Sequence, residues 1–142
     1  MSPPPTQDRG GAYGVVLTAA IVALTLSTAY IHSTLGGMLY TLNALGYTVL
    51  AVAILIGASL KVPVVVRLSW LPRVGLFAFT LTTVLGWMMV GARVGIAYIA
   101  KAIEAGLLVL LLVDSFRVYG GPLPLLIEAR ASVEEIIASL RR

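Results

Sequence analysis

Residues 10–60 contain no Lys, Arg, Asp or Glu, and His32 is the one side chain in that run with a charge change near neutral pH. A charge-free run of this length cannot remain in water, and it is too long for a single core helix. About 20 apolar residues cross the hydrocarbon core of a bilayer. The run therefore predicts two membrane-spanning helices joined by a tight turn at Gly36-Gly37.

The composition of the whole chain agrees with a membrane protein. Of its 142 residues, 59% are hydrophobic and 11% are charged, whereas roughly a quarter of the residues in soluble domains are charged. The chain has no cysteine, which excludes disulfides, thiolate metal sites and cysteine nucleophiles. Its net charge of +4 is spread over loop ends and the tail, so we predict no nucleic-acid partner.

We predict an all-α fold, an integral membrane four-helix bundle followed by an amphipathic helix. Residues 1–12 form a flexible lead, residues 13–117 form the membrane domain, and residues 122–142 form the C-terminal helix. The spans are predicted at about residues 13–35, 38–60, 74–92 and 94–116. The first span is interpreted as an uncleaved helix, because its apolar run is longer than the 7–15 residues of a signal peptide.

The distribution of basic residues predicts the orientation in the membrane. Four spans place both termini and the connection at residues 61–73 on one side, together with nearly all of the Lys and Arg residues. Arg93 is the one basic residue in a loop on the other side. Since cytoplasmic loops carry the excess of Lys and Arg, we expect a multi-pass protein of the cell membrane with both termini in the cytoplasm.

The C-terminal helix has apolar residues at helical spacing and charged residues on its other faces. Two interpretations remain open, namely a helix that lies on the cytoplasmic membrane surface and a helix that docks onto a partner subunit. Its predicted contact residues are Leu126, Val133, Ile136, Ile137 and Leu140.

Lys101 and Glu104 lie three residues apart in the fourth span and so share one helical face. Counted from Arg93, Lys101 lies ~12 Å and Glu104 ~16 Å along the helix. Each ionisable group at this depth costs roughly 2.5–3.5 kcal/mol, so both are expected to point inward. The pair is interpreted either as an ion, proton or ligand site or as a structural pair that fixes the register of the helix.

His32 and Asn43 lie at depths comparable to that of the charged pair. His32 is ~6 Å from the outer end of the first span, and Asn43 is ~9 Å below the same turn. Asn43 is expected mainly to hold helices together by hydrogen bonding. A single histidine does not complete a haem, zinc or di-iron site, so we predict neither a cofactor nor a metal.

Small residues four apart predict close packing between helices, either within the bundle or against another subunit. Asp114 and Arg117 are predicted to form a boundary ion pair at the inner end of the fourth span. The predicted packing residues are Ala19, Ala23 and Ser27 in the first span, Ala53 and Gly57 in the second, and Ala102 and Gly106 in the fourth.

Three short strings carry a resemblance to a group of known proteins. They are Tyr30-Ile31-His32 with Leu35-Gly36, Leu42-Asn43-Ala44-Leu45-Gly46-Tyr47, and Tyr98-Ile99-Ala100-Lys101-Ala102-Ile103-Glu104. The four spans resemble small four-span prokaryotic membrane proteins, many of them archaeal and uncharacterised. The resemblance implies a four-helix membrane protein and transfers no mechanism.

Two functions from different classes follow as expectations. The first is a non-enzymatic accessory or scaffold subunit of a membrane complex, whose partners are the bilayer and other membrane subunits or a second copy of the chain. The alternative is a small homo-oligomeric transporter or ligand-binding protein that uses His32, Asn43, Lys101 and Glu104. No nucleotide loop, metal motif or nucleophile–base pair predicts an enzyme.

Overall fold

The computed structural model describes residues 11–140, in which every regular element is a helix and no strand occurs. The predicted lead therefore lies almost entirely outside the described residues, as do residues 141 and 142 and the side chain of Leu140. The helices are α1 (Ala12–Thr34), α2 (Met38–Ser59), α3 (Pro63–Arg67), α4 (Trp70–Val90), α5 (Gly95–Tyr119) and α6 (Pro122–Leu140).

Four helical segments are long and apolar enough to cross a membrane. They are Ala12–Thr34, Met38–Ser59, Pro63–Val90 and Gly95–Tyr119. The third includes the short helix α3 and begins well before residue 74, where the sequence predicts the span to start. The helix α4 contains Pro72 because proline is tolerated in the first turn, where its missing N–H has no helical partner to lose.

The four long helices form a closed ring. Helix α1 packs against α2 and α5, and α4 packs against α2 and α5 from the opposite side. Between α1 and α2, Gly36 and Gly37 adopt φ of +67° and +93°, a conformation that costs glycine little and lets the chain reverse within three residues. The shared core consists mainly of Leu17, Ile21, Tyr47, Ala51, Ile54, Leu76, Leu107 and Leu111.

The ridge of small residues on α1 is not a packing surface inside this chain. Ala19, Ala23 and Ser27 are all exposed, and the hydroxyl of Ser27 donates a hydrogen bond to the carbonyl of Ala23. The packing prediction is thus wrong for contacts within the bundle. The opposite face, with Leu17 and Ile21, turns inward because its larger side chains fill the core.

The other predicted packing residues differ in how closely they contact a neighbouring helix. Gly106 approaches a side-chain methyl group of Leu24 across the contact between α1 and α5, and Gly57 approaches Ser69. Ala53 is half-buried, whereas Ala102 is exposed. A closer approach occurs at Gly46, where a Cβ atom would lie 2.6 Å from the ring of Phe79. Only glycine therefore allows the present contact between α2 and α4 at that position.

Helix α6 is held against one end of the ring. Leu125 and Ala129 are buried against Trp70, with Val74 and Tyr119 packed beside them. An ion pair between Arg67 and Glu135 joins α3 to α6. We call this the basic end of the ring, and we define it by Lys61, Arg67, Arg73 and Arg117.

Candidate functional site

The carboxylate of Glu104 is completely buried between α1, α4 and α5. Its Oε2 atom lies 2.5 Å from Nζ of Lys101 and 3.0 Å from the hydroxyl of Thr83. Its Oε1 atom accepts a hydrogen bond of 3.1 Å from the hydroxyl of Thr28. The buried charge is thus paired and hydrogen-bonded from three helices, as a carboxylate inside a membrane protein requires.

His32 is the fourth group at this carboxylate. Its ring is buried, and Nε2 lies 3.7 Å from Oε1 of Glu104. On the other side of the ring, Nδ1 lies 2.8 Å from the backbone carbonyl of Thr28. Because a carbonyl oxygen only accepts hydrogen bonds, this contact assigns a proton to Nδ1 and leaves Nε2 facing Glu104.

Tyr47 and Thr83 extend this polar cluster toward α2. The Tyr47 hydroxyl lies 2.8 Å from Oγ1 of Thr83, and the tyrosine ring is completely buried. The Thr83 hydroxyl is also within 2.8 Å of the carbonyl of Thr80. Since Thr83 has one hydroxyl proton, it donates either to Thr80 or to Glu104, while Tyr47 can donate to Thr83.

The structure brings together three of the four residues that the sequence singles out. His32, Lys101 and Glu104 meet at one point, whereas no hydrogen bond within residues 11–140 joins Asn43 to them. Asn43 is half-buried on α2, one helical turn before Tyr47. It is Tyr47, and not Asn43, that contributes from α2 to the cluster. Grouping Asn43 with the charged pair as one ligand site stays a prediction, since Asn43 shares a face of α2 with Tyr47, whose ring lies 5.7 Å from that of His32.

Thr28 and Thr83 are members of the cluster that sequence reasoning missed. Their signals are weak, since threonines in membrane helices commonly bond to their own backbone, as Thr25 does to the carbonyl of Ile21. The clearest signal is the spacing of four between Thr28 and His32, which places both on one face of α1. We define the buried cluster as Thr28, His32, Tyr47, Thr83, Lys101 and Glu104.

A second buried ion cluster lies at the basic end. Asp114 accepts hydrogen bonds of 2.7 Å from Nε of Arg73 and 2.7 Å from Nη2 of Arg117. Arg73 also donates through Nη1 to the carbonyl of Ser69. The predicted pair of Asp114 and Arg117 thus has a third member on α4, which ties α4 to α5.

Neither cluster has the side chains of a metal centre. Among the residues that the structure describes, no three side chains of His, Asp or Glu gather in a group that can hold a metal ion. The buried cluster instead contains one cation, one carboxylate, one imidazole and three hydroxyls. Chemically, this set can bind, hold and pass on a proton.

Comparison with known proteins identifies no relative of this chain. No protein-family model matches the chain, and no curated protein or solved structure matches it.

Proposed function

We propose that this chain is a small non-enzymatic membrane protein that translocates protons through the buried cluster. The observation that carries the proposal is the arrangement of His32 between Thr28 and Glu104. With Nδ1 donating to the Thr28 carbonyl, a neutral ring turns its Nε2 lone pair toward Oε1 of Glu104 at 3.7 Å. Two lone pairs that face each other repel, and one added proton on either atom makes the contact attractive.

Burial supports the same conclusion. With Lys101 charged, Glu104 ionised and His32 neutral, the cluster has no net charge, and one added proton gives it a charge of +1. Burying that extra charge carries a free-energy cost, and the attractive contact that the proton creates between His32 and Glu104 offsets it. A site that takes up a proton and releases it again needs both of these opposing effects.

Hydrogen-bonded hydroxyl groups lead to one oxygen of the Glu104 carboxylate and offer a path for a proton. The hydroxyls of Tyr47 and Thr83 form a chain that ends at Oε2 of Glu104. Each hydroxyl both donates and accepts, and each can rotate between partners. At Oε1, the imidazole of His32 is a second group that can take up a proton and pass it on, and it comes from a different helix.

The setting of this function is part of the proposal. Basic residues gather at the end of the ring that holds the N-terminus of α1 and the C-terminus of α5. By the excess of positive charge in cytoplasmic loops, this end faces the cytoplasm of a cell membrane. Four spans give little room for a complete pathway, so we propose a homo-oligomer.

Proton flux into liposomes tests the proposal directly. A potassium gradient with valinomycin drives protons into liposomes that contain the purified protein and an enclosed pH-sensitive dye. We expect Glu104→Gln to reduce the protein-dependent flux at least about tenfold, since the amide cannot take up a proton at neutral pH. Glu128→Gln is the matched control, because Glu128 is exposed on α6, and it should conduct like the wild type.

An accessory or scaffold subunit is the second candidate, and the exposed surface of α6 favours it. Leu126, Val133 and Ile137 are exposed, while Leu125 and Ala129 are buried against the ring. This exposed apolar surface suits an amphipathic helix that lies on the membrane or docks onto a partner. Equal flux in wild-type and Glu104→Gln liposomes would favour this second role and contradict the first. A flux that depends on Glu104 would contradict the second.

A further inference from the structure

A cavity of about 640 Å³ lies at the basic end, where α1 and α2 meet α4 and α5. Its volume falls in the range of small-molecule sites. Residues from the first two turns of α1 and the last two turns of α2 form one wall, and Ser69, Arg73 and Arg117 contribute to another. It is far from the buried cluster, which lies toward the opposite end of the ring. We propose that this cavity binds the phosphodiester head group of an anionic lipid.

The charge of the lining supports an anion. Lys61, Arg73 and Arg117 all line the cavity, and none of its described lining residues is Asp or Glu. Asp114 pairs with both arginines, so the three cations and this carboxylate leave a net charge of +2. Basic pockets between membrane helices on the cytoplasmic side are known to bind anionic lipid head groups.

The uncharged residues that line the cavity favour a lipid over a free anion as its ligand. Most of the other residues are apolar or small, among them Val15, Leu55, Ala58, Leu60 and Val118. Apolar walls next to the cations match the glycerol and upper acyl chains of a lipid, which a soluble phosphate lacks. The cavity also lies within two helical turns of the helix ends, which is the level of the head groups.

Native mass spectrometry of the full chain in mild detergent tests this proposal. The probes are phosphatidylglycerol and phosphatidylcholine with identical acyl chains, which differ in head-group charge. We expect the wild type to retain more phosphatidylglycerol, and Lys61→Gln to lower its retention about fivefold, the effect of one cation near a membrane surface. Arg93→Gln is the matched control, because it removes one exposed cation from the other end of the ring.

A second variant distinguishes lipid binding inside the cavity from attraction of the lipid to surface charge alone. Ala58 is exposed and lines the cavity, so Ala58→Leu fills space while every charge stays in place. We expect Ala58→Leu to retain no more phosphatidylglycerol than phosphatidylcholine. Wild-type retention in Ala58→Leu or in Lys61→Gln overturns the proposal, and so does equal retention of the two lipids by the wild type. Displacement of phosphatidylglycerol by millimolar inorganic phosphate also overturns it, because the cavity would then be a site for a free anion.

Discussion

Glu104→Leu is expected to lower the free energy of unfolding by about 3–5 kcal/mol, the usual cost of removing one partner from a buried ion pair. The variant leaves the Lys101 ammonium, whose side chain is 12% exposed, without its carboxylate. It also removes the acceptor for the hydroxyls of Thr28 and Thr83. Lys101→Leu should be destabilising for the converse reason, since it leaves the completely buried carboxylate without its cation. Unfolding of the purified protein by a gradient of dodecyl sulfate in mixed micelles measures these changes.

The double variant Lys101→Leu/Glu104→Leu should recover most of the stability that either single variant loses. Replacing a whole buried pair by apolar residues is often neutral or stabilising. Lys61→Leu is the control for loss of a lysine at an exposed position, and it should have little effect. Additive losses in the double variant would contradict an energetic coupling between Lys101 and Glu104.

Asp114→Asn is the second variant with a large expected effect. Asp114 is 2% exposed and pairs with Arg73 on α4 and Arg117 on α5. The amide keeps the shape of the side chain but removes its charge, so both guanidinium groups lose their ion pair with this carboxylate. We expect a loss of about 3–5 kcal/mol in the same unfolding measurement. Strong salt should reduce the loss only slightly, because buried charges are poorly screened.

The exposed ion pair of α6 provides a matched control for Asp114→Asn. Arg130 donates a hydrogen bond to Glu134 one helical turn away, and this hydrogen bond and the negative charge of Glu134 raise the pKa of Arg130. Both side chains are largely exposed to solvent, which screens their attraction. Glu134→Gln should therefore unfold like the wild type. A loss as large as that of Asp114→Asn would show that the assay does not distinguish buried from exposed pairs.

Much of the architecture of the ring can be predicted from local features of the sequence. The charge-free run and the Gly36-Gly37 pair predict α1, the turn and α2 nearly to the residue, because both depend on local chemistry. The predicted start of the third span is less accurate. Pro72 and Arg73 are typical of a loop, but in the structure they lie in the first turn of α4, which begins at Trp70 and packs there against α6. Which face of α1 turns inward depends on side-chain volume in the assembled core, and spacing alone favours the wrong ridge.

The buried cluster can be predicted only in part from the sequence. The spacing of Lys101 and Glu104 predicts their contact, because residues three apart on a helix always share a face. The depth of His32 in α1 predicts that it can reach them, but only the rotation of α1 brings its ring to Glu104. Depth alone does not indicate Thr28 and Thr83, whose hydroxyls become important only next to a buried carboxylate.

His32 is the one histidine of the chain, so ¹⁵N labelling of histidine gives NMR signals from a single ring. Comparing the two ring-nitrogen signals of the wild type with those of Glu104→Gln tests the proton site most directly. In the neutral ring of the wild type we expect the proton on Nδ1, which donates to the Thr28 carbonyl, and a lone pair on Nε2. We expect Glu104→Gln to shift the Nε2 signal, because Nε2 faces the carboxylate. A neutral ring with its proton on Nε2, or an Nε2 signal that is the same in both proteins, would contradict the proposed proton site.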